Sequence, residues 1–140
     1  MTVGIVVVSH SRALADAAVA LAGEMVPSGS VPVRVAAGSS DMTFGTDATE
    51  IQRALVSADS ASGGDGVVVL MDLGSAILST EMALELVPDD VRSRVRVASA
   101  PLVEGLVVAM ITASIGSARE RVAADARNAL QPKITQLDES

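Results

Sequence analysis

Two nearly continuous apolar runs, Val3-Gly4-Ile5-Val6-Val7-Val8 and Val67-Val68-Val69-Leu70-Met71, constrain the fold of this chain more than any other feature. A strand that is apolar at every position has no face to offer to water. Such runs belong in the middle of a sheet covered on both sides, the usual setting of parallel strands. Two other segments, Val31-Pro32-Val33-Arg34-Val35 and Val95-Arg96-Val97, alternate apolar with polar residues, as half-exposed strands do. Pro32 has no N–H to give to a central ladder. The first pair is expected at the centre of a sheet and the second at its edges.

Helical spacing fills the gaps. Leu14, Ala18, Leu21 and Met25 recur at helical intervals after the first strand, and Ile51, Leu55 and Ala58 after the second. The second helix has a start signal, with Asp47 followed three residues later by Glu50. Ile77, Leu78, Met82 and Leu86 mark a third helix, and a long fourth helical region runs from Leu102 to about Leu130. The alternation predicts an α/β fold, a four-stranded parallel sheet with helices on both faces. Central strands one and three, edge strands two and four and right-handed crossovers give the order 2-1-3-4. One domain over residues 1–135 accounts for the pattern, with residues 136–140 as a frayed polar tail.

Composition narrows the function. A net charge of −7 and an aromatic content of 1%, with Phe44 alone, argue against nucleic acid, which needs clustered cations and stacking platforms. The absence of cysteine removes disulfides, thiolate nucleophiles and cysteine-held metals. No signal peptide is read at the N-terminus, and the uncharged stretch 105–118 is shorter than a membrane span. A cytoplasmic protein without membrane contact is expected.

In the order 2-1-3-4 the chain reverses direction between strands one and three, and open α/β sheets place their sites at that crevice. The segments leaving those strands are Ser9-His10-Ser11 and Asp72-Leu73-Gly74-Ser75, so the single histidine meets a carboxylate. Loops rich in Gly, Ser and Thr at helix starts suit an anion. A phosphoryl group on His10 fits this setting, with Asp72 holding the other ring nitrogen and fixing the tautomer. His10 and Asp72 are the candidate catalytic residues; Ser11, Gly45, Thr46, Gly74 and Ser75 are the candidate phosphoryl-binding residues. Simpler roles stand beside these: Asp72 as the cap of helix three, Thr46 or Asp47 as the cap of helix two, Ser9 and Ser11 as turn or capping residues. There is no G-x-S-x-G elbow, no Walker A lysine motif and no further strong ligand for a metal beside His10.

Four segments in order, GIVVVSHSRALAD at 4–16, AAGSSDMTFGTD at 36–47, VVLMDLGSA at 68–76 and APLVEG at 100–105, resemble the phosphoryl-carrier subunit of phosphoenolpyruvate-dependent dihydroxyacetone kinase. That family has the fold of the IIA domain of mannose-type sugar phosphotransferase systems. The resemblance implies that His10 accepts a phosphoryl group from the phosphohistidine of HPr and passes it to ADP held in the nucleotide-binding kinase subunit. The regenerated ATP would then phosphorylate dihydroxyacetone bound in a third subunit. It implies no cofactor and no metal in this chain, and it matches Asp72 to the aspartate beside the family's histidine. The single glycine and missing proline of DLGSA favour the kinase version over a sugar-transport IIA component; a phosphorylated regulatory domain is the other alternative. The resemblance also points to a homodimer. So does the run Leu106-Val107-Val108-Ala109-Met110-Ile111, whose apolar circumference exceeds what one sheet face needs.

Overall fold

The computed structural model describes residues 1–38 and 44–139. Its strands are β1 (Gly4–Ser9), β2 (Val33–Ala37), β3 (Val67–Met71) and β4 (Val95–Val97). They form one parallel sheet in the order β2-β1-β3-β4. The helices are α1 (Arg12–Gly23), α2 (Ala48–Ser62), α3 (Ala76–Leu86), α4 (Asp89–Ser93), α5 (Leu102–Ser114), α6 (Arg119–Arg127) and α7 (Gln131–Glu139).

The apolar runs behave as their composition dictates. Every residue of β1 and β3 is buried, whereas β2 and β4 are only partly so. The pleat of β1 sends Ile5 and Val7 into one core, with Ala15, Ala18, Leu106, Ala109 and Val122 of α1, α5 and α6. Val6 and Val8 enter the other core, with Ile51, Leu55, Ala76 and Ala83 of α2 and α3 and Val91 of α4. Truncating a fully buried side chain such as Ile5 would cost about 2–5 kcal/mol, most of it from the cavity left behind. That rigidity holds the carboxyl ends of β1 and β3 side by side, with Val8 paired to Met71.

Several helix expectations need correction. In α1 the buried residues are Ala15, Ala18 and Ala22, while Leu14, Leu21 and Met25 are exposed. In α3 the sheet is met by Ala76, Thr80 and Ala83, and Ile77, Leu78, Met82 and Leu86 face outward. Small residues bring a helix close to a sheet, so they win the inner face although larger neighbours share the periodicity. The long fourth helical region is two helices, broken where Gly116 adopts φ +85°. α1 and α6 cover Leu106, Ala109 and Met110 of α5, which are buried, whereas Val107 and Val108 are half-buried and Val103 and Ile111 stay exposed. Most of the run is therefore core, and only its Val103 and Ile111 edge is left open. Residues 136–139 are helical and exposed at the end of α7, whose Lys133, nearer its start, bonds Glu104 of α5 at 2.8 Å. Among the described residues no helix is long and apolar enough to cross a membrane.

Candidate functional site

β1 ends at a residue that is itself fully buried, Ser9, and the chain then turns outward through His10 into α1. Ser11 is the N-cap of α1: its backbone is extended and its hydroxyl accepts the Leu14 N–H at 3.2 Å. The adjacent strand β3 ends one residue before Asp72, whose own N–H donates to the Val8 carbonyl at 3.2 Å. The expected crevice between β1 and β3 thus brings His10 and Asp72 together. His10 Nδ1 lies 2.9 Å from Asp72 Oδ1, with side-chain exposures of 25% and 8%.

Asp72 is held by three further donors. The His10 backbone N–H reaches Oδ2 at 2.9 Å, the Leu73 N–H reaches Oδ1 at 2.7 Å, and the Ser9 hydroxyl reaches Oδ2 at 3.1 Å. Burial is the largest single influence on this carboxyl and pushes it up. The bonds from His10, Leu73 and Ser9 together outweigh burial and hold the carboxyl below its ordinary range. At neutral pH Asp72 is therefore a carboxylate that can only accept, so Nδ1 must carry the ring proton. In the neutral ring the other nitrogen, Nε2, then keeps its lone pair and accepts from the Ser75 hydroxyl at 2.9 Å. Ser75 is exposed, so this hydroxyl can swing aside for an electrophile.

The remaining expected residues fall into different places. Gly45 gives its N–H to the His10 carbonyl at 3.0 Å, so it anchors the histidine's backbone. Thr46 bonds Ser79 of α3 at 2.6 Å and ties the start of α2 to that helix. Asp47 is the N-cap of α2 and accepts the Thr49 N–H at 2.9 Å. Gly74 and Ser75 form the tight turn into α3, with the Ala76 and Ile77 N–H groups bonded back to Leu73 and Gly74. Positions 39–43 of the segment AAGSSDMTFGTD lie outside the described residues. Three exposed apolar side chains, Leu14, Phe44 and Leu73, sit on the segments flanking His10. Beside Asp72 a cleft of about 460 Å³ opens between the loops that follow β3 and β4, lined by Leu73, Ile77, Val97 and Ala98 among others.

Ser9 was readable only as a turn residue, yet it is wired directly to Asp72. Its one signal is a hydroxyl ending an otherwise apolar, central strand. The grouping of Ser75, His10 and Asp72 also follows the order of an acyl-transfer triad, although no sequence elbow announces one. Ser75 lacks the strained elbow conformation, with φ −64° and ψ −18° at the start of α3. What the arrangement offers is a tautomer-locked imidazole whose second nitrogen faces hydroxyl and solvent.

A family model described as PTS system fructose IIA component, EIIA-man, matches residues 4–123. The phosphoryl donor subunit DhaM of the PEP-dependent dihydroxyacetone kinase of Escherichia coli (strain K12) is 41% identical over 137 residues. That match takes in 96% of this chain and 28% of the relative. The corresponding subunit of Providencia stuartii is 39% identical over 99% of this chain and 29% of its own length. The chain thus spans under a third of the length of these curated relatives. A subunit of dihydroxyacetone kinase 2 of Listeria innocua, also DhaM, is 29% identical and is covered over 98% of its length. Among solved structures, the protein of unknown function EF1359 aligns with a TM-score of 0.79 at 30% identity, covering 91% of this chain and 95% of that one.

Proposed function

This chain belongs to the EIIA-man family, and from that premise we propose that it is the phosphoryl-carrying part of a dihydroxyacetone kinase system, with His10 as the carrier. The observation that carries the reading is the locked ring: Asp72 takes Nδ1–H at 2.9 Å and leaves the Nε2 lone pair at the partly exposed edge of the site. In the proposed step that lone pair forms a bond to phosphorus as the N–P bond of the donor's phosphohistidine breaks. The bonding pair returns to the donor ring, and no proton leaves Nδ1. Asp72 stabilises the positive charge that the ring gains. Ser75 turns its hydroxyl from Nε2 to a phosphoryl oxygen, and the Arg12 and Ala13 amides at the start of α1, ahead of the Leu14 N–H that Ser11 caps, favour the anion.

HPr is the proposed donor, and ADP in the nucleotide-binding subunit the proposed acceptor, with the dihydroxyacetone-binding subunit downstream. The similarity to the DhaM subunits over nearly the whole chain supports that choice. The exposed Leu14, Phe44 and Leu73 suit protein docking around the histidine. A cytoplasmic location follows from those partners. A homodimer is part of the proposal. Its support is the exposed Val103 and Ile111 of α5 and the outer face of α3, where Ile77, Leu78, Met82 and Leu86 stay exposed; a monomeric mass on sedimentation would remove it.

The test is intact mass after incubation with phosphoenolpyruvate, enzyme I and HPr, followed by addition of the ADP-loaded nucleotide subunit. One acid-labile phosphoryl group that the subunit discharges is the expected result. A phosphoryl group that the subunit leaves in place would point to sugar transport or regulation instead. No phosphorylation would end the carrier reading.

A further inference from the structure

Three of the four donors to Asp72 are fixed by the fold: the backbone N–H groups of His10 and Leu73 and the ring nitrogen Nδ1. The fourth is not. The Ser9 hydroxyl lies 3.1 Å from Asp72 Oδ2 and 2.9 Å from the Ser11 carbonyl, and it accepts the Ser11 N–H at 3.1 Å. A hydroxyl has one proton, so the two acceptors compete for it. Ser9 is fully buried, so its hydroxyl has no water to bond and must choose between these two acceptors.

We propose that Ser9 is a positioning residue for phosphoryl transfer: the direction of its single hydroxyl proton sets how strongly Asp72 holds the ring of His10. This deepens the carrier role proposed above and rests on it. When the proton points to Asp72, part of the carboxylate's charge is spent on the hydroxyl, and Oδ1 is a weaker acceptor for Nδ1–H. When it points to the Ser11 carbonyl, Asp72 concentrates its charge on the ring. A phosphorylated ring carries more positive charge than a free one, so the second orientation stabilises phosphohistidine and the first favours its discharge. The two orientations let one site both accept and release the group. The N–P bond forms on Nε2 and breaks there in both directions, while the Nδ1 proton stays in its bond to Asp72. Among the described residues His10 is the one titratable group bonded to Asp72, which keeps the readout simple.

The experiment compares Ser9→Ala with Ser62→Ala. Ser62 is an equally buried hydroxyl, bonded to the Asp59 carbonyl at 2.7 Å and to the Gly66 N–H at 3.0 Å, at the opposite end of the sheet. Two quantities are read: the titration midpoint of the Asp72 carboxyl carbon by NMR in the unphosphorylated protein, and the phosphorylated-to-free ratio of His10 at equilibrium with HPr. Ser9→Ala is expected to raise the midpoint and to raise the ratio about three- to tenfold, the effect of one lost bond to a carboxylate. Ser62→Ala should change neither. If Ser9→Ala does not fold, Ser9→Cys keeps the volume with a much weaker donor and should shift both quantities in the same direction. A folded Ser9 variant with both quantities unmoved, or an equal response from Ser62→Ala, overturns the proposal. A wild-type chain that HPr never phosphorylates removes the carrier role and this proposal's phosphoryl arm together, whereas a phosphorylated wild type with an unresponsive Ser9 variant removes this proposal alone.

Discussion

Two aspartates with the same 8% side-chain exposure sit at opposite ends of this sheet, and they do different work. At the amino ends, Asp59 of α2 meets Arg94, just before β4, through a two-pronged contact: Nε to Oδ1 at 2.9 Å and a terminal nitrogen to Oδ2 at 2.8 Å. The guanidinium stays charged, and its fork matches the carboxylate. The Arg94 carbonyl in turn accepts the Val67 N–H, and Gly66, at φ +94°, lets the chain pass where a Cβ would lie 2.4 Å from that carbonyl. This pair clamps α2 to the strand entrances and has no atom left for chemistry. At the carboxyl ends, Asp72 holds the His10 ring by one nitrogen and leaves the other on the Ser75 side, at the partly exposed edge. Equal burial and equal charge yield a clamp or a reactive site according to whether the partner retains a second usable atom.

The comparison can be broken by mutation. His10→Ala should abolish phosphorylation by HPr, a loss of at least about a thousandfold, since no other side chain supplies the nucleophile. Asp72→Asn is next, with a transfer rate lower by roughly a hundredfold, because an amide N–H turned toward Nδ1 favours the wrong tautomer. Asp59→Ala should do the reverse. It should lower the melting temperature by a few degrees, because the two-pronged contact is lost although Asp90, 4.0 Å from Arg94, remains, and leave the transfer rate of the folded protein within about twofold. Rapid phosphorylation of Asp72→Asn, or a silent Asp59→Ala, would erase the distinction between clamp and site.

A smaller effect sharpens it. Because the Asp72 carboxyl is held below its ordinary value in the folded chain, its contribution to stability is complete above the unfolded carboxyl's pKa. It is lost as the pH falls through the lower, folded value. The stability gap between the wild type and Asp72→Asn should therefore close on acidification across that window, as followed by urea unfolding at stepped pH. A gap constant with pH would mean that the hydrogen bonds to Asp72 do not favour its charged form.

The sheet end of this comparison was legible in the residues alone. Unbroken apolar runs identify β1 and β3 as central, alternation identifies β2 and β4 as edges, and together they place Ser9-His10-Ser11 opposite Asp72. What periodicity could not reveal was which face of a helix turns inward when both carry apolar residues. Ala15, Ala18 and Ala22 of α1 and Ala76, Thr80 and Ala83 of α3 turn inward, and Leu21 or Met82, larger and equally periodic, are left outside. Much of the apolar circumference of α5 is covered by α6, which begins after a break that hydropathy does not mark, and Val103 and Ile111 stay open. Within the site, residue type indicated the histidine and the carboxylate. It could not assign backbone partners: the Gly45 N–H serves the His10 carbonyl, and the Ser9 hydroxyl serves Asp72. Those bonds depend on where loops from distant strands come to rest.

The central claim is that Asp72 locks the ring so that Nε2 carries the phosphoryl group, and a long-range proton–nitrogen correlation of the His10 ring tests it most directly. Recorded before and after phosphorylation by HPr, it should show the proton on Nδ1 in the neutral ring and the phosphorus coupled to Nε2. A neutral ring protonated on Nε2, or phosphorus on Nδ1, would contradict the account.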